Sequence, residues 1–217
     1  MTEHGQRADP ELVATWVCGW AISRGVAPPV PDHGGHRVEV GLPEQRRRFV
    51  FPALGPGLKD LARSIHEPWV FLKICAPAAA VRALLPARWT LQARAFMMVR
   101  PVNAAPSSTL PPGYRLEYAG AAPWLTATIV AEDGTCAASG GLALVQDHAI
   151  YDRIVTHEDH RRRGLGRVIM ATLDRLAHEN AGRHGVLVAT PAGRELYTTL
   201  GWSVHAPYTS AFILPPK

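Results

Sequence analysis

Cysteine is scarce in this chain, and no apolar run in it is long. Cys18, Cys75 and Cys136 are the only cysteines among 217 residues, odd in number and widely spaced. That excludes a disulfide framework and points to reduced thiols and a cytoplasmic location. The longest N-terminal apolar run, LVATWVCGWAI, is too short to cross a bilayer. No basic segment with a cleavage site precedes it, so neither a membrane partner nor an export signal is expected. No internal repeat is visible. The His-x-x-His of His157 to His160 lacks a third ligand and a helical setting, so no metal is expected. Excess charge is small, +5 with ten histidines neutral. It tolerates an anionic ligand. Without aromatic-basic interleaving or a recognition-helix pattern, it does not predict nucleic acid as a partner, despite a sequence pI of about 9.4.

What is present is a core-forming composition, 47% hydrophobic, enough for one large domain or two small ones. A proline-rich stretch, Pro101 to Tyr114, reads as a linker or a surface strap. It separates an N-terminal α/β part, residues 1–100, from a clearer C-terminal part, residues 115–217. In the first part, PELVATWVCGWAISRG reads as a helix with Pro10 early and Gly25 as its stop. HRVEVGLPEQRRRFVF reads as two strands around a turn at Leu42 to Glu44, with the basic run Glu44 to Phe49 solvated. A short helix within ALGPGLKDLARSIH, a strand at WVFLKICA, a helical turn or two at AAAVRALL and a strand at TLQARAFMMV follow.

In the second part, Asp133-Gly134 between two strand-like runs predicts a hairpin. Cys136 falls in the second run and reads as a small buried residue. AIYDRIVT is a third strand. Leu165, Ile169, Leu173 and Leu176 then recur at helical spacing, with Gly182 as the stop. GVLVAT is an all-apolar strand of the kind buried in a parallel pair. Thr190, Pro191 and Gly201 cap, start and end a second helix, TPAGRELYTTLGW. SVHAPYTSAFIL closes as one broken strand or two short ones. Its edge leaves a homodimer open.

The chemistry concentrates at HRRRGLGRVIM, His160 to Met170. Glycines between a strand and a helix bring bare backbone to the positive end of a helix dipole, a place for a phosphate. The stretch is not Gly-x-x-x-x-Gly-Lys-Ser/Thr. Nor is it a dinucleotide fingerprint, since Ile169 fills the third glycine position.

What remains is Arg161-x-x-Gly164-x-Gly166. Together with Leu196, Tyr197, Gly201 and Trp202 downstream, it resembles the GNAT superfamily of N-acyltransferases, over roughly Leu116 to Leu214. Thr190 stands where the superfamily commonly has asparagine, and Gly193 where alanine is common. The resemblance implies a mixed central β-sheet flanked by helices, an α/β (α+β) fold, with acetyl-CoA as cosubstrate. It implies transfer of an acetyl group to a small-molecule or peptide amine by direct attack. Arg161, Arg162, Arg163, Gly164, Leu165, Gly166 and Arg167 would hold the coenzyme pyrophosphate, with backbone N–H groups from Arg162 to Arg167 as donors. Main-chain groups of Ile154, Val155 and Thr156 would pair with the pantetheine arm and the acetyl carbonyl, and the Thr190 hydroxyl would stand in for the asparagine.

Tyr197 is the candidate general acid toward the departing thiolate; alone, it would read as a core tyrosine. The position of the base in some relatives falls on Ile150, which cannot act. Asp152 lies two residues on, on the same strand face, and is the candidate base; an ion pair with Arg153 or another arginine is its structural alternative. His148, His157 and Glu158 are weaker candidates. The missing carboxylate at position 150 motivates an alternative of another class, a non-catalytic acyl-CoA-binding or regulatory protein. The stretch YRLEYAGAAPWLTATIV leaves no room for the two helices the superfamily places between its first core strands. The N-terminal part is therefore expected to supply that wall of the cleft, as a degenerate copy of the same fold.

Overall fold

The computed structural model describes residues 8–103 and 108–215. Residues 104–107, inside the proline-rich stretch, lie outside it. The chain forms two compact units. One holds the described residues up to Val99 together with those from Val188 on, and the other spans Arg100–Leu187.

The first unit opens with α1 (Pro10–Arg24). The Asp9 carboxylate accepts the Glu11 N–H, Pro10 starts the first turn, and Gly25 ends the helix at φ 63°. β1 (Val30–Asp32), β2 (Gly35–Leu42) and β3 (Gln45–Phe51) are antiparallel neighbours, the last two joined through the expected turn. The crossover helix α2 (Pro56–Ser64) leads to β4 (Val70–Ile74), which pairs in parallel with β3 over five residues. α3 (Ala78–Leu84), β5 (Trp89–Leu91) and β6 (Ala95–Pro101) follow. The run read as one strand, TLQARAFMMV, is thus interrupted at residues 92–94. Measured against its antiparallel partner, it carries one extra residue there, which breaks the ladder. Phe49, Phe51, Leu58, Leu61, Leu72, Ile74 and Trp89 form the core on the α2–α3 side of this sheet.

The second unit contains β7 (Tyr114–Ala121), β8 (Trp124–Ala131), β9 (Cys136–Val145) and β10 (His148–Thr156), all antiparallel neighbours. Asp133 closes the β8–β9 hairpin by accepting from the Thr135 N–H (2.9 Å) and hydroxyl (2.7 Å). That turn extends to Thr135, so Cys136 starts β9 at the rim and is exposed, not buried as its strand position suggests. α4 (Leu165–Glu179) packs across β8, β9 and β10. Its end also differs from expectation. Ala181, not Gly182, takes the left-handed position (φ 61°), and the Gly182 N–H closes onto the Ala177 carbonyl at 2.8 Å. β11 (His184–Ala189) pairs in parallel with β10.

The chain passes back to the first unit within β11 and ends there with α5 (Pro191–Thr199) and β12 (Ser203–Ile213). The units therefore follow the sheet rather than the proline-rich stretch. The described residues from Val188 on group with the N-terminal part because β12 pairs with β6, β5 and β4. β12 is one strand broken by a bulge between Val204 and Ala206. Its hydrogen bonds are taken inside the sheet, which removes the exposed edge read as a homodimer contact. The basic run also divides. Arg46 and Arg47 pair with Glu67 and Glu39 at the surface, whereas Arg48 is buried with its guanidinium 3.8 Å from the Trp20 ring centre.

Candidate functional site

Two features of β10 set the site. The first is an open edge. β10 is bonded to β9 from His148 to Thr156, but among the described residues its pairing with β11 ends at Ile150↔Val186. From Arg153 to Thr156, among the described residues, β10 is paired with β9 but not with β11. The second is a bulge between Asp152 and Val155, where Arg153 has φ 55°. The extra residue re-aims the strand. Tyr151 and Ile154 both face α4, Tyr151 bonding Asp174 and Ile154 lying beside Ile169 and Leu173 at Gly140. Asp152 and Val155 stand opposite Gly141 and Ser139, on the other face. Val155 is 58% exposed and Asp152 half-buried, while Ile150 is fully buried.

Gly140 explains how α4 comes so close. A Cβ there would sit 2.7 Å from Ile169 Cγ2 and 3.0 Å from Leu173 Cδ1. Glycine is the residue this approach requires.

After Thr156 the chain makes a single 3-10 turn (Glu158–His160) and then the loop to α4. Arg162 (φ 62°) and Gly164 (φ 79°) are both left-handed, and Gly164 is the N-cap. A Cβ on Gly164 would meet nothing within 4 Å, so the left-handed backbone, not packing, selects glycine. The Arg161 N–H closes the 3-10 turn onto Glu158, and the Arg167 N–H closes the first turn of α4 onto Gly164 O at 2.9 Å. Between them, among the described residues, the N–H groups of Arg162, Arg163, Gly164, Leu165 and Gly166 have no acceptor. Five consecutive unbonded donors at a helix N-terminus are suited to an anion.

The arginine side chains divide. Arg163 donates to Tyr114 Oη at 2.8 Å and to the Asp159 carbonyl at 3.0 Å, and Arg161 Nε reaches the Thr156 carbonyl at 3.4 Å. Both brace the loop from within. Tyr114 also bonds His160 Nδ1 at 3.0 Å. This Tyr114–His160–Arg163 brace was illegible in the sequence, because β7 lies far from the loop along the chain. So was a second cluster. Asp174, 2% exposed on α4, accepts from Tyr151 Oη at 2.6 Å and from the Arg100 guanidinium. Burial first, then the Asp174 charge, pushes the Tyr151 phenol well above the ordinary tyrosine range. A buried polar residue on the apolar face of α4 was the one available signal.

In the first unit, Thr190 caps α5 by accepting the Gly193 N–H at 3.1 Å. Tyr197 is the one buried residue of that helix, its ring centre 6.2 Å from that of Trp202. Among the described residues, no group of three or more His, Cys, Asp or Glu is arranged to hold a metal. His157 and His160 stack edge to face at 5.9 Å, with His157 3.5 Å from Asp159.

The fold has relatives. Residues 124–204 match the family model described as acetyltransferase (GNAT) domain. Among solved structures, the chain is similar to a GCN5-related N-acetyltransferase from Kribbella flavida (14% identity, TM-score 0.67, covering 94% of this chain and 96% of that one). It is also similar to one from Sphaerobacter thermophilus (12%, 0.60, 85% and 78%). A tandem GNAT protein from the clavulanic acid biosynthesis pathway is similar over 96% and 97% of the two chains, at 14% identity and TM-score 0.55. At these identities the likeness shows the fold. A search of curated proteins finds no match.

Proposed function

We propose that the chain is an N-acetyltransferase that moves an acetyl group from acetyl-CoA to a small-molecule or peptide amine by direct attack. One observation carries this reading. Among the described residues, the β11-side edge of β10 from Arg153 to Thr156 runs directly into a loop whose N–H groups from Arg162 to Gly166 have no acceptor. An edge followed by a cradle suits a ligand with an extended amide-bearing arm and a pyrophosphate at its end. Coenzyme A has that form, and its thioester supplies the activated acetyl carbon.

The residues then divide the work. The loop from Arg161 to Arg167 takes the pyrophosphate, chiefly through the N–H groups of Arg162 to Gly166, since that of Arg167 is already engaged within α4. Main-chain groups of Ile154, Val155 and Thr156 pair with the arm and the acetyl carbonyl, where an N–H stabilises developing negative charge. The Thr190 hydroxyl keeps its proton free to donate while its oxygen caps α5. Tyr197 is assigned proton donation to the leaving sulfur, from its place in the Leu-Tyr and Gly-Trp pattern of α5. Asp152, half-buried beside the bulge, is assigned proton removal from the amine. A cytoplasmic location is read from the three free cysteines.

The test is calorimetric titration with acetyl-CoA, beside Gly164→Glu, which puts a carboxylate and a disfavoured left-handed side chain in the cradle. Micromolar binding that the variant loses supports the reading, and an amine screen for turnover follows. Absence of binding by the wild type overturns it. Binding without turnover on any amine favours the non-catalytic alternative.

A further inference from the structure

Of the 23 Lys and Arg residues, only Lys59, Lys73 and Lys217 are lysines. Lys59 is exposed on α2. Lys73 is the one buried lysine among the described residues, 8% exposed on β4. In a chain that uses arginine for nearly every cation, a buried lysine stands out. The property arginine cannot supply is loss of the proton.

The surroundings of Lys73 favour that loss. Val70, Leu72 and Ile74 face the α2–α3 core, so Phe71 and Lys73 face the other side of the sheet. There, Lys73 Nζ donates to Ser210 Oγ at 2.8 Å, directly across the β4–β12 ladder, and to Gln92 Oε1 at 3.4 Å. It also lies 5.1 Å from the Phe71 ring centre. These partners are neutral, and among the described residues no carboxylate pairs with the amine. The charged group facing it is a cation, Arg48 of the neighbouring β3. Burial first, then Arg48, brings the amine down to about 7, so near neutral pH about half of it is the unprotonated nucleophile. Cys75, two residues along, is no rival, because burial pushes its thiol up to about 12. Gln92 belongs to the exposed segment 92–94 between β5 and β6.

We propose that Lys73 is an acyl-acceptor site of this protein. Its ε-amine attacks the thioester carbonyl of an acyl-CoA, the N–C bond forms as the C–S bond breaks, and the amine proton passes to the departing sulfur, releasing coenzyme A. The product amide is neutral. It keeps one N–H for Ser210 and ends the repulsion with Arg48. The choice of donor rests on the acyl-CoA reading above.

The experiment is incubation of the full chain with acetyl-CoA at neutral pH, followed by peptide mass mapping, with calorimetric titration of the same preparation. Acetyl mass on Lys73 at about tenfold or more over Lys59 is expected, since an ordinary lysine is almost wholly protonated there. The label is lost in Lys73→Arg and kept in Lys59→Arg. Acetyl-CoA binding with Lys73 unlabelled, or labelled no faster than Lys59, overturns this inference and leaves the transferase reading standing. Label on Lys73 without coenzyme binding at the loop supports the site and removes the transferase reading. Label retained in Gly164→Glu also supports it, with the donor arriving from solution.

Discussion

Single residues carry the sharpest consequences. Tyr197→Phe removes one phenolic oxygen beside Trp202 and leaves the ring. If Tyr197 is the proton donor, kcat for a good amine falls by about 10²-fold or more, with the affinity for acetyl-CoA unchanged by calorimetry. Unchanged turnover would return Tyr197 to the core. Lys73 makes a separate prediction about stability. Its folded-state value lies below that of an ordinary lysine. Below about pH 7 both folded and unfolded chains carry the charge, and the fold bears the whole burial cost. As pH rises from there toward the ordinary lysine range, the unfolded chain binds more protons, so stability rises, by at most about 1.4 kcal/mol per pH unit. Above about pH 9 Cys75 acts the other way, because the unfolded thiol ionises while the buried one does not. Melting curves between about pH 7 and 9 should therefore climb in the wild type, and Lys73→Met should flatten the climb. An equal slope in both proteins would assign the effect elsewhere.

At the scale of elements, the helix α4 joins stability to the site. Its N-terminus supplies the donor run, its face covers β8, β9 and β10, and its one deeply buried charge, Asp174, holds Tyr151 of β10 and Arg100. Asp174→Ala leaves a largely buried guanidinium without its acid, a change that costs about 3–5 kcal/mol. Denaturant unfolding measures this; a loss under about 1 kcal/mol would mean that water or another group replaces the carboxylate. Gly140→Val tests the same packing from the sheet side. The added methyls must displace Ile169 and Leu173, at a cost of about 1–3 kcal/mol. The Tyr114 brace acts on the loop alone. Tyr114→Phe should raise the KM for acetyl-CoA several-fold while leaving the melting temperature nearly unchanged, because the hydroxyl is spent on His160 and Arg163 at the surface of the loop.

Across the whole molecule, the order β2–β3–α2–β4–α3–β5 repeats the order β9–β10–α4–β11–α5–β12, and β2–β3–β4 shares the pairing senses of β9–β10–β11. We read the first as a degenerate copy of the second. Its helix also opens on Gly-x-Gly, at Gly55 and Gly57, but Pro56 between them has no N–H. A Cβ on Gly57 would stand 2.1 Å from the His33 carbonyl oxygen, so main chain lies against that helix start. The parallel pair β3–β4 stays bonded over five residues, where β10–β11 holds for three. The copy therefore has neither cradle nor open edge. One acetyl-CoA per chain is expected by calorimetry, with thermal stabilisation of about 2.7 kcal/mol at a hundredfold excess over Kd. Two equivalent sites would refute the degenerate copy.

Much of this was determined by the sequence alone. Local signals are written in local residues. The helix start at Pro10, the stop at Gly25, the cap at Thr190, the Asp133-Gly134 hairpin, the spacing along α4 and the glycine loop from Arg161 to Gly166 all appear where neighbouring side chains and backbone preferences place them. Features that depend on distant partners required the tertiary structure. The interruption at residues 92–94 and the interior position of β12 are settled by which strands lie alongside. The bulge at Arg153 and the open edge of β10 follow from the ladders with β9 and β11. The Tyr114 brace, the Asp174 cluster and the buried amine of Lys73 join residues dozens of positions apart. No periodicity along the chain encodes those meetings. They arise because burying the apolar faces of the sheets and helices leaves each of these polar groups only the partners that packing brings within reach.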